Sequence, residues 1–433
     1  MDLQRRTLRK IAWRLLPLVA VSYFIANLDR TNISYAALQM NEDLHLSAAT
    51  YGLGAGLFSI TYLLLEVPSN LVMEKVGARL WIARIMITWG LVSAGMAAVV
   101  GPNSFIAMRL LLGAAEAGFV PGILLYITYW FPAALSSVAV AVFLLAAPVS
   151  NAVSALLSTP ILAMDGLLGL RGWQWMFVVE AVPAVVLGVV VLVAMTDRPS
   201  EARWLQPEER EWLQNQLARE RPEKSGRASL LRTLANPWVL ALSAVYMGRN
   251  VATFGLTYFM PQIVGVLDLT RMQIGLLTAV PYGVAAVGMW LWAASSDRHQ
   301  ERRWHLVASL VLAATGLAAA AVLSHSLWSV FAITVAAIGC FSVTPALFAI
   351  APRVLSPVET AGGVAIINSL AQLGSLAGPY AVGWIRTSTG RFDNALYLMA
   401  ASSAVAAGMA LFLRPRPPAD LSELRLAGSK RER

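Results

Sequence analysis

Cysteine occurs once in the 433 residues, as Cys340 inside an apolar run, so no disulfide organises this chain. Histidine occurs four times (His45, His299, His305, His325), always in or next to a predicted loop, and neither HExxH nor GxSxG is present. A metal centre or an intramembrane enzyme therefore has no residues to be built from, and no cofactor is implied. Charged residues are scarce at 13%, hydrophobic residues reach 58%, and mean hydropathy is +0.63, a balance that a single soluble core of this length would not need. Strand-like alternation is missing as well: 306–323 (LVASLVLAATGLAAAAVL) is continuously apolar, which excludes a transmembrane barrel. The N-terminus lacks a small-residue cleavage site after its basic stretch, so the first apolar run is expected to stay in the mature protein.

What is present is a series of apolar runs of about 20 residues, each long enough to cross a hydrocarbon core as a helix. Twelve are expected, at 14–36, 50–72, 81–100, 104–130, 136–161, 175–196, 238–263, 272–294, 304–324, 327–350, 360–385 and 393–414. Six precede the single long polar break, 197–236, and six follow it. Within the break, 207–220 opens with Pro207 and acidic residues, as the N-terminus of an amphipathic helix should. The predicted fold is all-α and membrane-spanning: a six-helix bundle over 1–196, a linker at 197–236, a second six-helix bundle over 237–415, and a tail at 416–433.

The formal net charge of +9 is a topology signal before it is a partner signal. Arg5, Arg6, Arg9, Lys10 and Arg14 precede the first run, Lys75, Arg79 and Arg84 follow the second, and Arg298, Arg302 and Arg303 follow the eighth. Arg414 and Arg416 follow the last, whereas the connections at 41–50 and 101–104 carry no Lys or Arg. By the positive-inside rule both termini are expected in the cytoplasm, with Arg171, Arg271, Arg386 and Arg391 as outside exceptions. Lipid is the expected surroundings and nucleic acid is not an expected partner.

Charges inside the runs are the candidate site. Asp29 and Arg30 are adjacent in span 1, flanked by Asn27 and Asn32. An ionised side chain at a helix centre costs ~2.5–3.5 kcal/mol on insertion scales, so the two imply a polar cavity, a salt bridge pinning helices together, or a helix end at the outer interface. Arg109 and Glu116 lie seven residues apart on one face of span 4, too far for direct contact, so each is expected to meet a neighbouring helix or to bridge through a third group. A carboxylate paired with Arg that loses its partner to an anionic substrate offers a way to couple proton and anion. Arg249 and Asn250 in span 7 have no carboxylate on their own helix; a substrate carboxylate, or Asp29 or Glu116 across a cavity, are the alternatives for Arg249. Asn368, Ser369 and Gln372 make a polar face on span 11.

Other features read as structural. Gly52, Gly54 and Gly56, and Gly374 and Gly378, permit close helix approach. Glu66 and Glu180 read as helix-end residues, Pro121, Pro148 and Pro160 as kinks in spans 4 and 5. Phe24, Tyr62, Tyr126, Phe254 and Tyr258 are expected near the cavity.

The loop after span 2 (Glu74, Lys75, Gly77, Arg79) answers to that after span 8 (Asp297, Arg298, then Arg302 and Arg303). With the division into six and six, this resembles the major facilitator superfamily, although Glu74 stands where that signature has Asp, and Asn70 and Ala293 where it has its first Gly. These residues would form the gating and structural loop. More closely, 28–33 (LDRTNI), 66–70 (EVPSN), 109–122 (RLLLGAAEAGFVPG), 175–183, 296–298 with 301–305, and Asn368 with 378–380 (GPY) resemble the anion:cation symporter family. That resemblance, nearly full length, implies proton-driven import of a tartrate-like, sugar-derived or aromatic carboxylate across the inner membrane by a monomer. It further implies that Asp29 and Glu116 carry protons, that Arg30 and Arg109 hold substrate or pair with those acids, and that Tyr62 and Asn368 contact substrate. The connection 131–137 (FPAALSS) departs from the family in lacking basic residues, and Arg249 is not a position the resemblance covers. A drug or metabolite exporter on the same fold and a non-transporting carboxylate sensor are the competing readings. The exporter is disfavoured by Ala147-Pro148-Val149 where a glycine-flanked Gly-Pro would stand.

Overall fold

The computed structural model describes residues 2–220, 233–355 and 357–413, and these contain helices and no strand. The later part of the linker, 221–232, and the tail with Arg414 and Arg416 lie outside them. The first half comprises α1 (Asp2–Asp43), α2 (Ala48–Val76), α3 (Ala78–Gly95), α4 (Pro102–Glu116), α5 (Phe119–Trp130), α6 (Ala133–Leu162) and α7 (Gly172–Ala194). The short helix α8 (Pro207–Glu220) precedes the second half: α9 (Pro237–Gly265), α10 (Arg271–His299), α11 (Arg303–Val322), α12 (Trp328–Val354), α13 (Pro357–Thr389) and α14 (Asp393–Phe412). Among the described residues eleven segments are long and apolar enough to cross a membrane; α4 and α5 together form one of them, and α13, 33 residues long, is not among them.

Local chemistry sets the ends. Ser47 caps α2 by accepting the Thr50 amide at 3.0 Å, Thr270 and Gln273 form a capping box on α10, and Asn236 caps α9 ahead of Pro237. Helix α1 starts twelve residues before the expected span, because its basic first turns find a partner outside the apolar layer. The buried Glu209 of α8 accepts from Arg6 Nε at 3.0 Å and Lys10 Nζ at 2.7 Å. Burial opposes ionisation of Glu209, but the bonds from Lys10, the Gln206 amide and Arg6 outweigh it and hold the carboxyl below its ordinary range.

Span 4 is broken. The expected kink at Pro121 is instead an interruption at Ala117 and Gly118, where Gly118 adopts φ +87° and a Cβ would stand 2.3 Å from Ser69 Oγ. Pro121 sits in the first turn of α5, where its missing amide hydrogen costs no helical bond. Helix α6 continues through Pro148 and Pro160.

The two halves meet through α2 on α13, α6 on α10 and α1 on α9. Each junction lies toward the end away from the linker. A Cβ on Gly52 would come within 2.2 Å of the Pro379 carbonyl oxygen and one on Gly383 within 2.0 Å of that of Ala48, so these backbones touch. Tyr51 donates its hydroxyl to the Tyr258 carbonyl at 2.8 Å, and the Ala49 amide donates to Thr387 Oγ1 at 2.9 Å. The hydrophobic core repeats this geometry. One cluster, including Ile33, Tyr51, Phe105, Trp173, Phe259 and Leu396, is shared by both halves. Toward the linker end the core divides into two clusters, one confined to the first half and one to the second. The molecule is thus sealed at one end and parted at the linker end.

Candidate functional site

The charged side chains of α1 and α4 converge beside this seam. Arg30 Nε donates to Glu116 Oε2 at 2.6 Å, joining residues 86 apart in the chain, with Glu116 fully buried and the Arg30 side chain 19% exposed. The break after Glu116 ends α4 there, so the carboxylate projects from a helix terminus. The second oxygen, Glu116 Oε1, and Arg30 Nη2 are buried without hydrogen-bond partners among the described residues. Arg109 forms a salt bridge with neither acid: Nε and Nη2 donate to the carbonyls of Gly54 and Ala55 at 3.3 and 3.4 Å, long bonds to neutral oxygens. Phe58 lies between the two cations, its ring centroid 5.4 Å from the Arg30 guanidinium carbon and 5.0 Å from that of Arg109. Tyr62, one turn along α2, presents its ring to Arg30 at 5.0 Å. Desolvated contacts of this kind are each worth up to about 2 kcal/mol.

Across the seam, Arg249 donates to the Cys340 carbonyl at 2.8 Å and to Asn250 Oδ1 at 2.9 Å. Asn250 is in turn held by donating to the Ala371 carbonyl and to Ser375 Oγ. Arg249 is 93% buried, yet among the described residues no carboxylate forms a salt bridge with it. Tyr23 of α1 lies within electrostatic reach of both Arg30 and Arg249. Asn368 and Gln372, one turn apart on α13, are half-buried and make no side-chain hydrogen bond among the described residues.

The Major Facilitator Superfamily model matches residues 19–298 and 245–432. The chain belongs to the Major Facilitator Superfamily. It is 46% identical over 419 residues, 96% of either chain, to an Agrobacterium vitis protein named "Putative tartrate transporter". It is 36% identical to the "Quinolone resistance transporter" of Acinetobacter baumannii, over 92% of this chain and 93% of the relative. Its fold matches a bacterial homolog of the human lysosomal transporter Spinster, crystallised in an inward-facing and occupied conformation (TM-score 0.76, 17% identity, 94% of this chain and 98% of that one). As a superfamily member the chain is a multi-pass inner-membrane transport protein and not an enzyme.

Within this transporter the remaining expected residues separate. Asp29 is fully buried behind α1, where Oδ1 accepts from Ser93 Oγ at 2.5 Å and from Asn32 at 3.2 Å; it touches no arginine. Arg249 meets neither Asp29 nor Glu116 in this structure: Glu116 is held by Arg30, and Arg249 donates to a carbonyl and to Asn250. Glu66 and Glu180 are not helix-end residues: both lie inside α2 and α7, and both are buried. Of the expected cavity aromatics, Tyr126 instead ties α5 to the linker end through the Thr196 carbonyl, and Tyr258 is packed in the seam. At the linker end Glu74 and Lys75 are exposed, while the Arg79 amide and side chain both meet Asp197. In the second half Asp297 pairs with Arg302 at 2.5 Å, and Arg298 is exposed in the last turn of α10. Phe58 was missed by the sequence reading, though its spacing of four from Tyr62 placed both rings on one face of α2.

Proposed function

We propose that this transporter imports a small dicarboxylate, of which tartrate is the type, together with protons. The observation that carries the reading is the unequal pairing of the three arginines Arg30, Arg109 and Arg249: among the described residues only Arg30 of the three has a carboxylate partner, while Arg109 and Arg249 rest on neutral oxygens. Buried cations without counter-charge are costly, and a dianion held between the halves supplies what they lack. The tartrate in the name of the Agrobacterium vitis relative supports the same class.

In this scheme Arg30 and Arg109 bind one carboxylate and Arg249, braced by Asn250, binds the other. Tyr62, Asn368 and Gln372 meet the hydroxyls. Protonation of Glu116 removes the anion that occupies Arg30 and frees the guanidinium for substrate, so proton and substrate favour each other's binding. Asp29 is the second proton carrier. Twelve spans form two bundles, 1–196 and 237–415, joined by 197–236, and the basic loops put the linker end and both termini in the cytoplasm. The parted end is then the cytoplasmic one, and Glu74, Lys75, Arg79, Asp297 and Arg298 rearrange as the halves rock. The carrier works as a monomer within the bilayer.

The test is inhibition of radiolabelled tartrate uptake into proteoliposomes by a panel of acids: dicarboxylates with hydroxyls should compete, monocarboxylates far less. The quinolone resistance relative makes export of amphiphilic drugs the second reading. Drug-stimulated proton flux with no tartrate uptake would establish it and overturn import.

A further inference from the structure

A second group of polar side chains lies inside the first half, on the far side of α1 from the arginines. Asp29 and Asn32 on α1, Ser93 on α3, Ser154 and Ser158 on α6, and Glu180 on α7 are each at least 97% buried. Ser158 Oγ donates to Glu180 Oε1 at 3.3 Å, and Ser93 and Asn32 donate to Asp29 Oδ1. Among the described residues the other oxygen of each acid, Glu180 Oε2 and Asp29 Oδ2, has no partner, and neither does Ser154 Oγ, one helical turn from Ser158 on the same face. Among the described residues no salt bridge reaches either acid. Among the described residues the titratable groups near Glu180 are Asp29 and Tyr35 of α1; those near Asp29 are Glu180 itself, Glu116 and Arg109 of α4 and Arg30 of α1.

Two enclosed carboxylates, neither of which forms a salt bridge, cannot both keep their charge cheaply: an unpaired buried ion costs several kcal/mol, which a bound proton removes. The position of the group says when it can load. Helices α1 and α6 are also among those that meet the second half, and Gly275 of α10 presses on Ala155 and Thr159, the residues next to Ser154 and Ser158. Parting of α10 from α6 uncovers this stretch of α6 at the end away from the linker. On the other side Asp29 is the chain neighbour of Arg30, the partly exposed member of the arginine site.

We propose that Glu180 is a proton-carrying residue of the transport cycle, loading at its free Oε2 when the seam opens and passing the proton toward Asp29 after it closes. The proposal deepens the coupled-import reading and rests on it for the direction of flow. One proton binds one carboxylate oxygen on loading and leaves the same oxygen on release, with no other bond changed.

The experiment is the limiting tartrate accumulation in proteoliposomes at zero membrane potential and a one-unit pH step, for wild type and Glu180→Gln. Each coupled proton contributes about a tenfold factor to that ratio, so the variant should accumulate about tenfold less while tartrate counterflow, which needs no net proton movement, persists. An unchanged ratio would make Glu180 a structural residue and overturn the proposal. Infrared difference spectra between high and low pH give a readout without transport. Wild type should show a carboxylic acid C=O band that Glu180→Gln loses and Ser158→Ala shifts; its presence in Glu180→Gln at full strength would overturn the assignment even if that variant fails in transport. Uptake driven by a sodium gradient and lost in Glu180→Gln would overturn it too, in favour of a metal cation. Absence of pH-driven uptake in wild type, with the Glu180 band intact, would refute coupled import and leave the protonation site standing.

Discussion

Replacing Arg249 with Gln should separate dicarboxylates from monocarboxylates. In the structure Arg249 lends its Nε to the Cys340 carbonyl and one terminal nitrogen to Asn250, and it has no carboxylate partner. Glutamine keeps a donor for one of these acceptors and removes the charge. A hydrogen bond between a charged donor and a carboxylate is worth about 1.5–3 kcal/mol, so tartrate affinity should fall about 10- to 150-fold. A monocarboxylate that engages only Arg30 and Arg109 should bind within a few-fold of its wild-type affinity. The assay is half-saturation of tartrate counterflow, with inhibition constants for a matched monocarboxylate, on protein whose thermal transition in detergent is unchanged. Asn250→Ala, which frees Arg249 from its brace, should weaken tartrate in the same direction and by less. Equal losses for both acids, or none for either, would refute the assignment of Arg249 to a second carboxylate.

Cysteines at Ala49 and Thr387, whose amide and hydroxyl lie 2.9 Å apart, should cross-link on oxidation and stop transport until reduced, with the buried native Cys340 as the sole background thiol; full transport by the oxidised pair would show that the seam need not open. Gly118→Ala should lower the thermal transition, since the left-handed conformation costs about 1–2 kcal/mol and the added methyl meets Ser69. Because the Glu209 carboxyl lies below its unfolded value, the α8 contact contributes stability above the unfolded range and loses it as pH falls through the folded value. Protection of α8 from proteolysis should therefore decline on acidification in wild type, and Glu209→Gln should be less protected at neutral pH and flat across that window.

Spans were legible because lipid imposes a length and a composition, and Asp29, Arg30, Arg109, Glu116 and Arg249 stood out because ionised groups are rare in such runs. Pairing was less so. Arg30 and Glu116 are 86 residues apart, and no local rule says that Glu116 meets Arg30 while Arg109 settles for carbonyls. The break at Gly118 was hidden because 119–130 is as apolar as what precedes it, and Pro121 drew attention away from the residue whose φ is positive. Glu66 and Glu180 were read as helix-end residues, but their helices run on past Pro68 and Pro183, as helices confined by neighbours can. The seal at one end depends on backbone contact at Gly52 and Gly383, which a glycine in a sequence permits but does not require.

The most direct test of coupled import is the lumenal pH of proteoliposomes when tartrate is added outside in the absence of any pH gradient. Proton symport predicts acidification of the lumen that tracks tartrate entry, lost in Glu116→Gln while counterflow remains. Tartrate entry with no change in lumenal pH would contradict the account.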